Sequence, residues 1–282
     1  MDDAELRQIV RQAIAEVLDE DARPRRRAPA PQSEPEPRRA SPRKPLPPPL
    51  NAHAIERIKR ATPTRIVQGR TGTRYLTDVY VGLRADHAIA IDAVQSEIPD
   101  DFAQKLGVGR VQSRCQTKEE YLLAPDAGRR LGDESRRWLE EHGERGVDVQ
   151  IIAGDGLSAY ALVQNGPPLV AALMKELPAA GFRVGKPVVA RYARVGLQDD
   201  IGVLLQAKAT LIIVGERPGL GTGDSLSIYT AFGPKLNQDN SEKDCISNIR
   251  NLGLLPDQAA KACADLMKRT FAAGGGGMKL VR

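Results

Sequence analysis

The sequence predicts an α/β protein: a Rossmann-like, mostly parallel sheet with a helical N-terminal lobe, preceded by an amphipathic helix and a disordered linker. Three observations predict it. Short apolar-rich runs, Val147–Ala153 (VDVQIIA) and Ala209–Gly215 (ATLIIVG), read as strands buried on both faces. Helical patterns alternate with them, which is the signature of a parallel sheet with crossover helices. Ahead of both lies a proline- and arginine-rich stretch with almost nothing apolar to bury.

Residues 1–20 come first. Leu6, Ile9, Val10, Ala13, Ile14, Val17 and Leu18 recur in steps of three and one, which places them on one face of a helix. Asp2, Asp3 and Glu5 fall in its first turn, where the helix dipole favours negative charge. Residues 21–50 hold ten of the chain's 20 prolines. Proline lacks a backbone donor and fixes φ, so this stretch reads as an extended, disordered linker. Residues 51–146 read as a helical lobe and the start of the domain, with the densest helix signals from Ala88 to about His142. Residues 147–282 read as the Rossmann-like part. There Pro187–Ala193 is a third strand, and Pro167–Leu177, Gln198–Ala207 and Pro256–Thr270 are helices. The run Gly274-Gly275-Gly276-Gly277 reads as a flexible tail.

Composition narrows the function. The chain has 282 residues, enough for a sizeable core, and 41% of them are hydrophobic. No apolar run approaches the ~20 residues of a membrane-spanning helix, so no membrane partner is expected. The start Met1-Asp2-Asp3 has no signal-peptide pattern, and a cytoplasmic protein is expected. The net charge is +5; residues 21–50 contribute eight cationic against three anionic side chains, the whole of that excess. The rest is nearly neutral, which argues against specific nucleic-acid binding by the folded part. Cys115, Cys245 and Cys263 form no C-x-x-C pair, and reduced thiols are expected.

Two strand ends carry glycine-bearing polar turns: Gly154-Asp155-Gly156-Leu157-Ser158, and Gly215-Glu216-Arg217-Pro218-Gly219-Leu220-Gly221-Thr222-Gly223-Asp224. Ligands bind outside the carboxyl ends of strands in open α/β sheets, and glycine lets backbone approach them closely. Both stretches also read as ordinary turns. Neither is a phosphate fingerprint: no lysine follows the glycines, and the third glycine of Gly219–Gly223 comes one position early. His53, His87 and His142 have no metal-ligand spacing and read as surface residues. Cys245 reads as a buried, unreactive thiol. With no acid, base, nucleophile or metal set of its own, the chain is not expected to catalyse alone, and no catalytic or metal-binding residue is assigned.

The motifs form an ordered series. Ala85-Asp86-His87-Ala88, Gln112-Ser113-Arg114-Cys115 and Asp126-Ala127-Gly128-Arg129-Arg130-Leu131 come first. Asp155-Gly156-Leu157-Ser158-Ala159, Arg191-Tyr192-Ala193-Arg194-Val195, Gly215–Gly221, Asp224-Ser225-Leu226-Ser227 and Cys245-Ile246-Ser247-Asn248-Ile249 follow. This series resembles the small (light) subunit of ethanolamine ammonia-lyase, over roughly Pro63 to Arg269. The resemblance implies a large TIM-barrel partner subunit and adenosylcobalamin as cofactor. It implies radical conversion of ethanolamine to acetaldehyde and ammonia, with the substrate site mainly on the partner. It also carries over three cofactor contacts: Val195, Glu216 and Cys245. The D-x-H-x-x-G motif that supplies a histidine to cobalt is missing, since Asp86 and His87 are adjacent, so base-on cobalamin is expected. Such enzymes can be packed in bacterial microcompartments, and residues 1–20 are then the candidate contact with shell proteins. Two further readings stand beside this one: a nucleotide-binding Rossmann oxidoreductase, and a microcompartment adaptor.

Overall fold

The computed structural model describes residues 51–62 and 64–280. The expected N-terminal helix and the linker lie outside the described residues. The chain divides into two units at residues 67 and 68. In the first, α1 (Ala52–Ala61) starts at Asn51, whose side chain accepts from the Ala54 N–H at 2.9 Å. This is the Asn cap that helices favour.

The second unit opens with a short antiparallel hairpin, β1 (Arg70–Thr71) and β2 (Arg74–Tyr75). Then come α2 (Thr77–Gln95), α3 (Phe102–Lys105), β3 (Gly109–Gln112), α4 (Lys118–Leu123) and α5 (Asp133–His142). The remainder is β4 (Val149–Gly154), α6 (Ala159–Ala179), β5 (Val188–Arg191), α7 (Leu197–Leu205), β6 (Ala209–Gly215), β7 (Leu226–Phe232), β8 (Lys243–Ile249) and α8 (Pro256–Ala273). Six strands form one sheet in the order β3-β5-β4-β6-β7-β8. The first four run parallel, and β7 and β8 continue antiparallel.

The architecture is therefore α/β with a mixed, mostly parallel sheet. The predicted strand Ala209–Gly215 is found as such, buried along its whole length. The antiparallel pair β7–β8 went unread. Its second strand, KDCISNI, is polar and half-exposed, so it lacks the continuous apolar run of a central strand. Helix α6 begins eight residues before the expected Pro167. Proline favours the first turn of a helix, but here Pro167 and Pro168 lie in the interior, and Ser158 is the cap. The glycine run is not a loose tail. Gly274 ends α8 with φ +64°, Gly275 and Gly276 are buried, and the Gly277 N–H donates to Asp244 Oδ2 at 3.0 Å.

Helices cover both faces. Ile151 and Leu211 pack under α6 and α8, against Leu169, Leu173 and Met267. Their neighbours in sequence, Ile152 and Ile212, face the other way, against Leu139, Leu197 and Ile201. Strand alternation thus feeds two cores from one sheet. Among the described residues, no helix is long and apolar enough to cross a membrane, and no group of three His, Cys, Asp or Glu could hold a metal ion. The three histidines are exposed.

Candidate functional site

Strands β4, β5 and β6 end together, and their loops are locked to one another. Asp155, just past β4, is buried, and its carboxylate accepts the Tyr192 N–H at 2.7 Å and the Ala193 N–H at 2.8 Å. Burial pushes its pKa up to about 6, against those two bonds and the nearby Lys118 charge. Asp155 therefore points inward and ties the β4 loop to the β5 loop. It holds Tyr192 at φ +54°, a conformation unusual for a bulky residue, and so fixes where Arg194 and Val195 emerge.

The two glycine turns touch. Gly156 sits at φ +60°, and a Cβ there would stand 2.4 Å from the Gly215 carbonyl oxygen. The Leu157 N–H donates to that same oxygen at 3.0 Å. Ser158 Oγ donates to Gly223 O at 2.6 Å and accepts from the Ala161 N–H at 3.1 Å, so one hydroxyl caps α6 and pins the second turn. After Gly223 the chain enters β7 and not a helix. The Gly219–Gly223 run thus has no helix N-terminus to receive a pyrophosphate, and the dinucleotide reading loses its geometry.

Glu216 is half-buried at the mouth of this corner. Its N–H donates to Ser225 O at 2.9 Å. Its Oε1 accepts from Ser227 Oγ at 2.6 Å and from the Asn248 N–H at 2.9 Å. Its Oε2 makes no hydrogen bond among the described residues and is left for the pocket beside it.

That pocket encloses about 450 Å³. The structure brings Val195, Glu216 and Cys245 into its lining together, from three different strand ends or strands. Val195 is half-buried against the core under α7. Cys245 departs from its expected burial: the residue is exposed, because β8 is the sheet's edge strand. Its thiol nonetheless leans on Tyr229, its partner across the strand pair, and on Ser227. Burial on that side pushes the Cys245 thiol up, and pushes the Tyr229 hydroxyl up to about 12.

Several lining residues escaped the sequence reading. Arg194 lies 4.2 Å over the Tyr121 ring and donates to Tyr121 O at 2.7 Å. Ser227 and Tyr229 face the pocket from β7, and Cys245 and Ser247 face it from β8. Each pair is spaced by two residues, so a period-two reading of 226–249 as strands would have found them. The lining combines apolar patches (Leu157, Val195, Val214) with one carboxylate, hydroxyls and two guanidinium groups. Among the described residues no imidazole lines it, and the lining suits recognition of a large apolar body edged with hydrogen-bonding groups.

Comparison with known proteins agrees over the same region. Residues 52–281 match the family described as ethanolamine ammonia-lyase light chain (EutC). A protein named ethanolamine ammonia-lyase small subunit, from Clostridium acetobutylicum, is 40% identical over 212 residues, 75% of this chain and 88% of its own. One of the same name from Fusobacterium nucleatum subsp. nucleatum is 37% identical over 230 residues, 82% of this chain and 78% of its own.

Proposed function

The chain belongs to the ethanolamine ammonia-lyase light-chain family, and from that premise we propose that its strand-end pocket is one wall of an adenosylcobalamin site. It is the small subunit of a carbon–nitrogen lyase, and a large subunit is its partner. The substrate site lies mainly on that partner, a TIM barrel, where ethanolamine becomes acetaldehyde and ammonia. When bound, the cofactor supplies the radical chemistry. This chain's residues bind and orient it.

One observation carries the reading: Val195, Glu216 and Cys245, far apart in sequence, line a single pocket beside the C-terminal ends of the parallel strands. The donor set fits the group. The free Oε2 of Glu216 can accept from carboxamide N–H groups at a corrin's edge, and Ser247 and Arg194 add further polar contacts. Val195 packs against the ring's periphery, and Cys245 makes close contact with no bond to cobalt. Base-on cobalamin rests on the missing D-x-H-x-x-G motif, since Asp86 and His87 are adjacent. Residues 1–20 join the complex to microcompartment shell proteins, in keeping with their apolar stripe and the long linker after them.

Isolation of the native complex tests this. Affinity purification through this chain is expected to yield a larger second chain, bound cobalamin and cobalamin-dependent release of acetaldehyde. A chain that purifies alone, or a complex that binds no cobalamin, overturns the proposal.

A further inference from the structure

Helix α2 is apolar on two sides. Its inner stripe, Val79, Leu83, Ala90, Ala93 and Val94, is half-buried or buried. Its outer face is apolar as well. Tyr80 (54% exposed), Val81 (58%), Ile89 (48%) and Ile91 (48%) stand uncovered among the described residues, and the exposed Ala85 and Ala88 lie between them. At about 100° per residue, Tyr80, Val81, Ala88 and Ile91 share about 100° of arc, and Ala85 and Ile89 widen it. A helix that is apolar all round belongs in an interior. Single exposed apolar side chains are ordinary, but a contiguous run of them marks an interaction surface.

The apolar tract continues past the helix. The Gly221 N–H donates to Asp86 O at 3.2 Å, which sets the exposed Leu220 beside α2. A Cβ at Gly223 would stand 2.8 Å from Ala93 Cβ and 3.8 Å from the Tyr160 ring. The Tyr160 N–H donates to Ser96 Oγ at 3.0 Å, so the end of α2 is fastened to the start of α6 and the exposed Tyr160 ring follows on. Tyr160 then lines a pocket of about 450 Å³ together with Asn251 and the exposed Leu255. Leu252, next in the chain to Asn251, is 84% exposed.

Charge and position say what covers this tract. Helix α2 carries one arginine, Arg84, against Asp78, Asp86 and Asp92. That balance suits neither a phosphate backbone nor an anionic membrane surface, both of which call for Lys and Arg. It suits a protein surface with an apolar centre. The tract is also continuous with the turn that carries Glu216 at the mouth of the first pocket, because α2 touches that turn at Gly221 and Gly223. A subunit that closes over the mouth meets α2 along the same turn.

We propose that the outer face of α2, with Leu220 and Tyr160 beside it, is a seat of the large subunit. The proposal rests on the two-subunit reading and adds where the partner lands. It also gives the helix a second task. Through Gly221 and Gly223, α2 holds the turn that carries Glu216, so a partner seated on α2 braces that turn from outside the pocket.

Footprinting and substitution test it. Hydroxyl-radical labelling, read by peptide mass spectrometry, compares the full chain alone with its complex with the large subunit. Labelling of Tyr80 and Tyr160 is expected to fall at least several-fold in the complex, while the exposed Met278 keeps its rate. For the double variant Val81→Glu, Ile89→Glu, the Kd between the subunits, measured by sedimentation velocity, is expected to rise about tenfold or more. Val203→Glu places the same charge on an exposed apolar residue of α7, on the other face of the sheet, and is expected to leave the Kd unchanged. Circular dichroism of the full chain checks that the double variant folds; the labelling of the wild type decides where it does not. With the large subunit in excess, the double variant is expected to bind cobalamin as the wild type does, which separates docking from cofactor contact. Unchanged labelling of Tyr80 and Tyr160 in a complex that forms overturns the proposal, and so does native subunit affinity in the folded double variant. Self-association of this chain, or its binding to anionic vesicles, that the double variant loses while keeping native affinity for the large subunit assigns the face to another occupant and also overturns it. A complex that protects Tyr80 and Tyr160 but binds no cobalamin removes the cofactor reading and upholds this surface. A chain with no large partner removes both.

Discussion

Asn248 donates its backbone N–H to Glu216 Oε1 at 2.9 Å, and does so from a left-handed backbone at φ +58°. The two residues meet because β8 carries an extra residue there. Leu226 pairs with Ile249 and Ile228 with Ile246, so two steps on β7 span three on β8. The extra residue of such a bulge is left out of the ladder, and its N–H needs another acceptor. Glu216 supplies it and takes the Ser227 hydroxyl on the same oxygen. One carboxylate oxygen thus shapes the site, and the other faces the pocket.

This division predicts a separation between two variants. Glu216→Gln keeps an oxygen for Asn248 and Ser227 but turns the pocket-facing oxygen into a donor. Cobalamin affinity of the complex is expected to drop about tenfold with almost no change in Tm. Glu216→Ala loses both roles, with the same loss of affinity and about 1 kcal/mol of stability. Absorbance titration and thermal unfolding measure the two quantities. Native affinity in both variants sinks the assignment of Glu216.

Gly156 and Gly181 separate backbone strain from collision. Both have positive φ, +60° and +92°. Around Gly181 nothing lies within 4 Å of an added Cβ, whereas at Gly156 the Cβ meets the Gly215 oxygen at 2.4 Å and its nitrogen at 2.6 Å. Gly181→Ala is expected to cost about 1 kcal/mol, the strain alone. Gly156→Ala and Gly156→Val are expected to cost about 3 kcal/mol or more, because the β4 and β6 loops must part. Denaturant unfolding compares them, and equal costs at the two sites refute the loop contact.

Asp155 gives a pH dependence with a definite sign. Unfolded, its carboxyl ionises near the usual 3.8; folded, burial moves this to about 6. Between those values the unfolded chain holds fewer protons than the folded one, so stability falls as pH rises from about 4 to 6 and is level on either side. Asp155→Asn removes this titration and places an amide N–H₂ against a backbone N–H, a cost of about 1–3 kcal/mol. The stability gap between wild type and variant is therefore expected to be widest near pH 4 and to narrow by pH 6.5. Urea unfolding across that range checks it, and a gap that widens toward neutral pH contradicts it.

The sequence exposed those parts of the fold that bury continuous apolar runs. Ala209–Gly215 is buried throughout and was readable as a strand to the residue. Lys243–Ile249 alternates between buried and open positions at a sheet edge, so its apolar signal is diluted and it went unread as a strand. The site divides along the same line. Glu216 was legible as a polar residue past a buried strand. Its neighbours Ser227 and Tyr229 were hidden with the strand that carries them, and the role of Asp155 was not legible, because nothing local says that its carboxylate turns inward to the Tyr192 and Ala193 amides. Such long-range pairings exist only once the strands are side by side.

The same edge position sets the chemistry of Cys245. Cys115 and Cys263 are fully buried, and burial raises both thiols, Cys263 to about 12. Cys245 is exposed, yet its thiol is raised too, by burial of the sulfur on its inner side, against the hydrogen bonds to Tyr229 and Ser227. The thiolate is the reactive form, so alkylation of the complex at pH 7 is expected to be slow, to occur at Cys245 ahead of the other two, and to accelerate as pH rises above 9. If Cys245 lies against the corrin, saturating cobalamin slows its alkylation at least several-fold without altering Cys115 or Cys263. Peptide mass spectrometry after timed iodoacetamide treatment reads all three sites at once. Equal labelling of Cys245 with and without cobalamin would place the cofactor elsewhere, since a ligand filling a pocket of about 450 Å³ that this thiol lines must shield it.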